Sequence, residues 1–180
     1  MTSRCAGATL LLFGVTQVWV FGQPASIEYD VKAAFVLNFT RYVEWPPSRR
    51  TAPFHLCVLR DNPFSGRLRA VVAGESWEEG PLDVVTVPDM RQAADCHLLY
   101  VPASADGVFA AGRALLNARP VLTVGEHERF LDHEGMIRLF LEQNKVRFSI
   151  NQRSASAAGL QISSRLLRLA RTVVGTTGTP

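Results

Sequence analysis

FHLCVL (residues 54–59), RDNPFSGRLRAVV (60–72), AGESWEEG (73–80) and PLDVVTV (81–87) form the stretch that decides the fold. Phe54 to Leu59 is an almost unbroken apolar run, as in a strand covered on both faces. Asn62 suits the cap of a helix from Pro63 to Val72. Proline fits the first helical turn because the amide it lacks would have no partner there. After Gly74, Leu82 to Val87 reads as a second strand, which makes the unit βαβ.

Working outward toward the C-terminus, Asp89 to Ala94 reads as a short helix and Cys96 to Val101 as a strand. A helix from about Gly107 to Asn117 precedes the run Val121 to Val124, and a short polar helix follows around Glu126 to Leu131. Four strands alternating with helices argue for a parallel sheet. The rhythm then changes. Met136 to Leu141 and Val146 to Ile150 flank Gln143 and Asn144, which suit the tight turn of an antiparallel hairpin. Ser154 to Ala158 forms a helical turn interrupted by Gly159. Ser163 caps a final amphipathic helix to about Val174, with Leu166, Leu167, Leu169, Ala170, Val173 and Val174 on one side and Arg165, Arg168 and Arg171 on the other. Toward the N-terminus, Ser26 caps a helix from Ile27 to about Trp45 that Pro46 and Pro47 end. Its apolar positions extend well beyond the stripe Val31, Phe35, Phe39 and Tyr42, as expected of a helix buried on more than one side or shared with a partner.

The first two dozen residues read differently. Arg4 precedes an apolar stretch from Ala6 to Phe21, short of a typical membrane span, which Gly22, Gln23 and Pro24 end. This is a signal-peptide pattern, with cleavage expected after Gly22 or as late as Ala25, and an uncleaved anchor as the rival reading. A single domain over residues 26–174 and a flexible tail over 175–180 remain, of a size suited to one ordinary core. Hydrophobic residues at 47% and charged residues at 19% fit a globular, soluble mature protein and exclude a disordered nucleic-acid tail.

Charge is distributed unevenly. No acidic residue follows Glu142, whereas Lys145, Arg147, Arg153, Arg165, Arg168 and Arg171 do. This basic quarter meets an acidic partner surface, an anionic ligand, or the acidic part of its own fold. We single out Arg165, Arg168 and Arg171 as a partner- or anion-binding edge. Only Cys57 and Cys96 survive removal of the leader. An oxidising compartment favours their pairing, the alternative being two buried free thiols.

Catalytic signatures are missing: the chain has no phosphate-binding glycine loop, no GxGxxG, no HExxH and no CxxC. Gly74-Glu75-Ser76 opens like a nucleophile elbow, but Glu78 stands where the second glycine belongs. His127 and His133, six residues apart among acidic neighbours, match no standard metal-ligand pair and read as a solvated segment. No catalytic residue, metal or cofactor is therefore expected.

Several segments closely resemble the YfiR family, also called HmsC-like proteins: residues 28–35 (EYDVKAAF), Asn38-Phe39, 43–46 (VEWP), 56–59 (LCVL), Asn62-Pro63-Phe64, 96–101 (CHLLYV) and 121–124 (VLTV). The order continues through 135–137 (GMI), 144–151 (NKVRFSIN) and 158–167 (AGLQISSRLL). The resemblance implies an exported, single-domain α/β protein with a Rossmann-like, mainly parallel sheet. It also implies no enzymatic activity and a disulfide between Cys57 and Cys96. It further implies a periplasmic regulator of an inner-membrane diguanylate cyclase, acting on cyclic-di-GMP and biofilm formation and forming a homodimer, while other members accompany sensor kinases or outer-membrane receptors. No nucleic-acid partner is expected. The second reading is a periplasmic small-ligand or anion-binding protein.

Overall fold

A computed structural model describes residues 24–50, 53–78 and 80–176. The leader and most of the C-terminal tail lie outside the described residues. In order, the elements are α1 (Pro24–Tyr42), β1 (Val43–Glu44), β2 (Phe54–Leu59), α2 (Arg67–Val72), β3 (Ser76–Trp77), β4 (Gly80–Val87) and β5 (Leu98–Val101). They continue with α3 (Asp106–Gly112), β6 (Leu122–Gly125), β7 (Ile137–Glu142), β8 (Lys145–Asn151), α4 (Gln152–Ala157), β9 (Gln161–Ile162), α5 (Ser164–Leu169) and β10 (Thr172–Val174). No described helix is long and apolar enough to cross a membrane.

Eight strands form one mixed sheet in the order β10-β8-β7-β6-β5-β2-β4-β3. β4, β2, β5, β6 and β7 pair in parallel, as do β8 and β10, while β7–β8 and β3–β4 are antiparallel. Alternation along the central strands builds two cores. Phe54, Leu56, Val58, Leu98 and Tyr100 pack with Val36 and Phe39 of α1 and Leu68 of α2. Cys57, Leu59, Leu99 and Val101 pack on the other face with Phe109 of α3 and Phe130. The unbroken apolar runs in the sequence reflect this double covering. Cys57 and Cys96 are disulfide-bonded within the second core, with Cα atoms 6.0 Å apart.

The hairpin turns on Gln143 (φ 50°) and Asn144 (φ 58°), the two successive left-handed residues of a type I′ turn, which sets Glu142 opposite Lys145. Elsewhere the local boundaries differ from the sequence expectations. α1 stops at Tyr42, because Val43 and Glu44 leave the helix to pair antiparallel with Ile162 and Gln161. The proline after Trp45 also favours extended backbone there. Asn62 caps a turn by accepting from Phe64 N–H (2.9 Å), and α2 begins only at Arg67, since Gly66 at φ +88° interrupts any helix from Pro63. Residues 126–131 form turns rather than a polar helix, and Arg113–Leu116 continues α3 as a 3-10 turn. Ser163 caps α5 as expected, its oxygen accepting from Leu166 N–H (3.2 Å). That helix ends at Leu169, and the β-branched Thr172, Val173 and Val174 form edge strand β10 instead of its last turn.

Candidate partner-binding surface

α1 buries Lys32, Ala33, Val36, Leu37, Phe39 and Thr40, so its outer line carries Ile27, Val31, Ala34 and Asn38. Ile27 is 65% exposed and Val31 40%, and Leu141 on the facing hairpin is 50% exposed. These three, with Glu28, Val146 and the rim residues Asn144, Lys145 and Arg147, line an open groove of about 680 Å³ between α1 and the β7–β8 turn. Exposed aliphatic side chains gathered in one concavity, rather than scattered singly, mark an interaction surface.

Beneath this groove α1 is fixed by a buried polar network. Lys32 Nζ, on a side chain only 3% exposed, pairs with Glu126 Oε2 at 2.9 Å and with Glu28. Tyr29 donates its hydroxyl to Glu126 (3.2 Å), and Tyr100 donates to the other oxygen of the same carboxylate. Burial, reinforced by the Glu126 charge, pushes both phenols well above the usual tyrosine range, so they remain donors. The network was not legible in sequence, because Lys32 reads as an ordinary surface position of an amphipathic helix and Glu126 as a solvated residue.

Arg165 and Arg168 are exposed on α5, but Arg171 lies past the helix end, which corrects the reading of three guanidinium groups along one helical side. Arg171 Nε reaches Glu142 Oε1 at 3.1 Å, and Arg147 Nε stands 4.0 Å from Glu142 Oε2. Glu142 thus gathers Arg171 and Arg147 at the base of the hairpin turn, next to the apolar groove. Part of the basic C-terminal quarter is therefore answered by the fold's own acid, and Arg165 and Arg168 stand apart from that cluster.

β4 lies on one side of β2 and β5 on the other. Aromatic rings gather on these strands at their carboxyl ends. Phe64 meets Tyr100 at 4.6 Å and Tyr29 at 5.5 Å, both edge-on. At the opposite end of the sheet His97 is 2% exposed and stacks on Phe54 at 4.7 Å. Its Nδ1 accepts from His55 N–H (3.0 Å), so Nε2 carries the proton toward the Arg49 carbonyl (3.0 Å). Ser76 belongs to β3 and the adjacent Glu75 pairs with Arg41 at 2.6 Å, an arrangement without the strand–turn–helix of a nucleophile elbow. His127 and His133 are brought together on Asp106, a residue the sequence reading did not single out.

No protein of curated function matches the chain significantly. Among solved structures, a chain described as the ABC domain in complex with L-Trp from Streptococcus pneumonia is similar over 82% of this chain and 60% of its own length, with 12% identity and a TM-score of 0.48. A family model described as YfiR/HmsC-like matches residues 29–171, most of the sequence and all of the surface residues above except Ile27 and Glu28, and the protein belongs to that family.

Proposed function

We propose that the protein is a periplasmic, non-catalytic regulator that docks on the periplasmic domain of an inner-membrane signalling protein such as a diguanylate cyclase. Membership of the YfiR/HmsC-like family supports this reading at the level of the family. The observation that carries it is the groove where Ile27, Val31 and Leu141 stand exposed together beside Lys145 and Arg147. Such a surface fits an amphipathic partner segment with an apolar face and acidic flanks. The aliphatic side chains would supply affinity, and the basic rim orientation and encounter rate.

The test is titration of the domain against purified periplasmic domains of diguanylate cyclases and sensor kinases from the same cell. Binding should weaken more than about tenfold in Val31→Asp and Leu141→Asp, which place a charge in an interface core without touching the folded core. Replacing Arg165, Arg168 and Arg171 by glutamine should leave folding nearly intact and reduce the salt dependence of binding. Failure to bind any of these domains, or unchanged affinity in the groove variants, would overturn the reading.

A further inference from the structure

A small cavity lies where three segments meet: the end of α3 with the 3-10 turn after it, the residues around the start of β7, and α4. Its volume is about 60 Å³. Phe109, Leu116 and Met136, all buried, give it apolar walls, and α4 closes the remaining side with Ala157 and Ala158. It shares no residue with the groove between α1 and the hairpin, so it stands or falls independently of partner docking there.

The polar groups on this cavity are few. Thr123 of β6 is 3% exposed. Its Oγ1 accepts from Met136 N–H at 3.0 Å, while its own proton finds no acceptor among the described residues. A buried hydroxyl donor left open beside a cavity marks a place for an oxygen atom.

Positive charge comes from Arg113, whose side chain is 28% exposed. Its Nη1 donates to Asn117 Oδ1 at 2.6 Å and its Nη2 pairs with Glu134. A guanidinium has more donors than these two partners use. Glu134 is 60% exposed, so its carboxylate can turn to water and give up its place on Arg113 at little cost. Arg113 and Glu134 are the charged side chains that line the cavity. Ala118 (φ 55°) and Glu134 (φ 59°), both on its wall, hold left-handed backbone without being glycine, a strain that gathers at ligand sites.

We propose that this cavity binds a small hydroxy or keto acid, of the lactate and pyruvate class. Arg113 takes the carboxylate, and Thr123 donates to the oxygen on the next carbon. Scaled from a cavity of roughly 150 Å³ that holds benzene, the volume takes about two or three non-hydrogen atoms beyond the carboxylate. The remainder of lactate, a hydroxyl on two carbons, is of that size, and its methyl group meets Phe109, Leu116 and Met136. An inorganic anion would bring only oxygens to those walls, and a long fatty chain would overfill them.

The experiment is an NMR titration of the whole oxidised domain with sodium lactate, pyruvate, propionate and hexanoate at constant ionic strength. Lactate and pyruvate should shift the Thr123 and Met136 amides and the Arg113 side chain along a saturable, one-site curve. Propionate lacks the second oxygen and should bind about tenfold more weakly, the worth of one buried hydrogen bond. Hexanoate should not bind. Arg113→Gln should abolish binding, and Thr123→Val should lower the affinity for lactate to that for propionate. Glu134→Gln should tighten binding, because it removes the competing carboxylate. If Arg113→Gln does not fold, the ligand series on the wild type still decides. No saturable shift with lactate or pyruvate would mean a cavity that holds water only, and would overturn the proposal. So would equal affinity for hexanoate, or undiminished binding in a folded Arg113→Gln.

Discussion

Stability should fall as pH drops from about 6.5 toward 4, and His97 should account for a separable part of the loss. In the fold its imidazole is buried against Phe54, with the Nδ1 lone pair occupied by His55 N–H and the Nε2 proton aimed at the Arg49 carbonyl. A second proton would have to sit on Nδ1 and would displace the His55 amide. Burial first, then the nearby Arg49 guanidinium, holds its pKa down to about 4. In the unfolded chain a histidine titrates near 6.5. Between those values the unfolded state takes up a proton that the folded state refuses. The contribution is therefore fully present above about pH 6.5 and lost as pH falls toward 4. At 1.36 kcal/mol per unit, the difference amounts to up to about 3 kcal/mol. Urea midpoints measured from pH 7.5 to 4.5 on wild type and His97→Gln would test this. The variant should be less stable at neutral pH, where it loses the buried ring, but should show a flatter profile than wild type. Parallel profiles across that window would refute the argument, because carboxylates titrating at the acid end contribute equally to both proteins.

Reducing Cys57–Cys96 should lower stability by about 4 kcal/mol, the chain entropy of a loop with sequence separation 39, read as the urea midpoint difference between oxidised and reduced protein. A difference under about 1 kcal/mol would show that the cross-link restrains little in the unfolded chain. Lys32→Met should cost about 3 kcal/mol, since Glu126 would keep its two phenol donors and lose its buried cation. An unchanged denaturation midpoint would show that the phenols suffice without Lys32.

The parts of the fold that were legible in sequence are those in which one segment carries its own signal. Phe54 to Leu59 and Cys96 to Val101 announce buried strands by composition, and Gln143-Asn144 between two apolar runs announces the hairpin. What was lost depends on partners far along the chain. Nothing local to Val43-Glu44 marks it as a strand, because it becomes one only against Gln161-Ile162. Thr172 to Val174 continue a helical apolar pattern, yet β8 offers an open edge and their β-branched side chains accept it. The exposed pair Ile27 and Val31 lies within a helix whose apolar positions are unusually broad, although only the hairpin's position shows which side stays uncovered. Asp106 carries no sequence signal, because its neighbours His127 and His133 are brought to it from a turn beyond the next strand.

The β1–β9 pairing also sets an order on folding. The parallel strands from β2 to β6 can assemble from a continuous stretch of chain, but the end of α1 is fastened only when Gln161-Ile162 arrives. Until then the core that holds Phe39 and Phe148 lacks Leu160 and Leu166. A nascent chain halted before β9 would therefore carry a nearly complete sheet with an unlatched, sticky helix, the kind of intermediate that recruits chaperones. Trimming the C-terminus back past residue 161 would leave the same open species rather than a smaller domain.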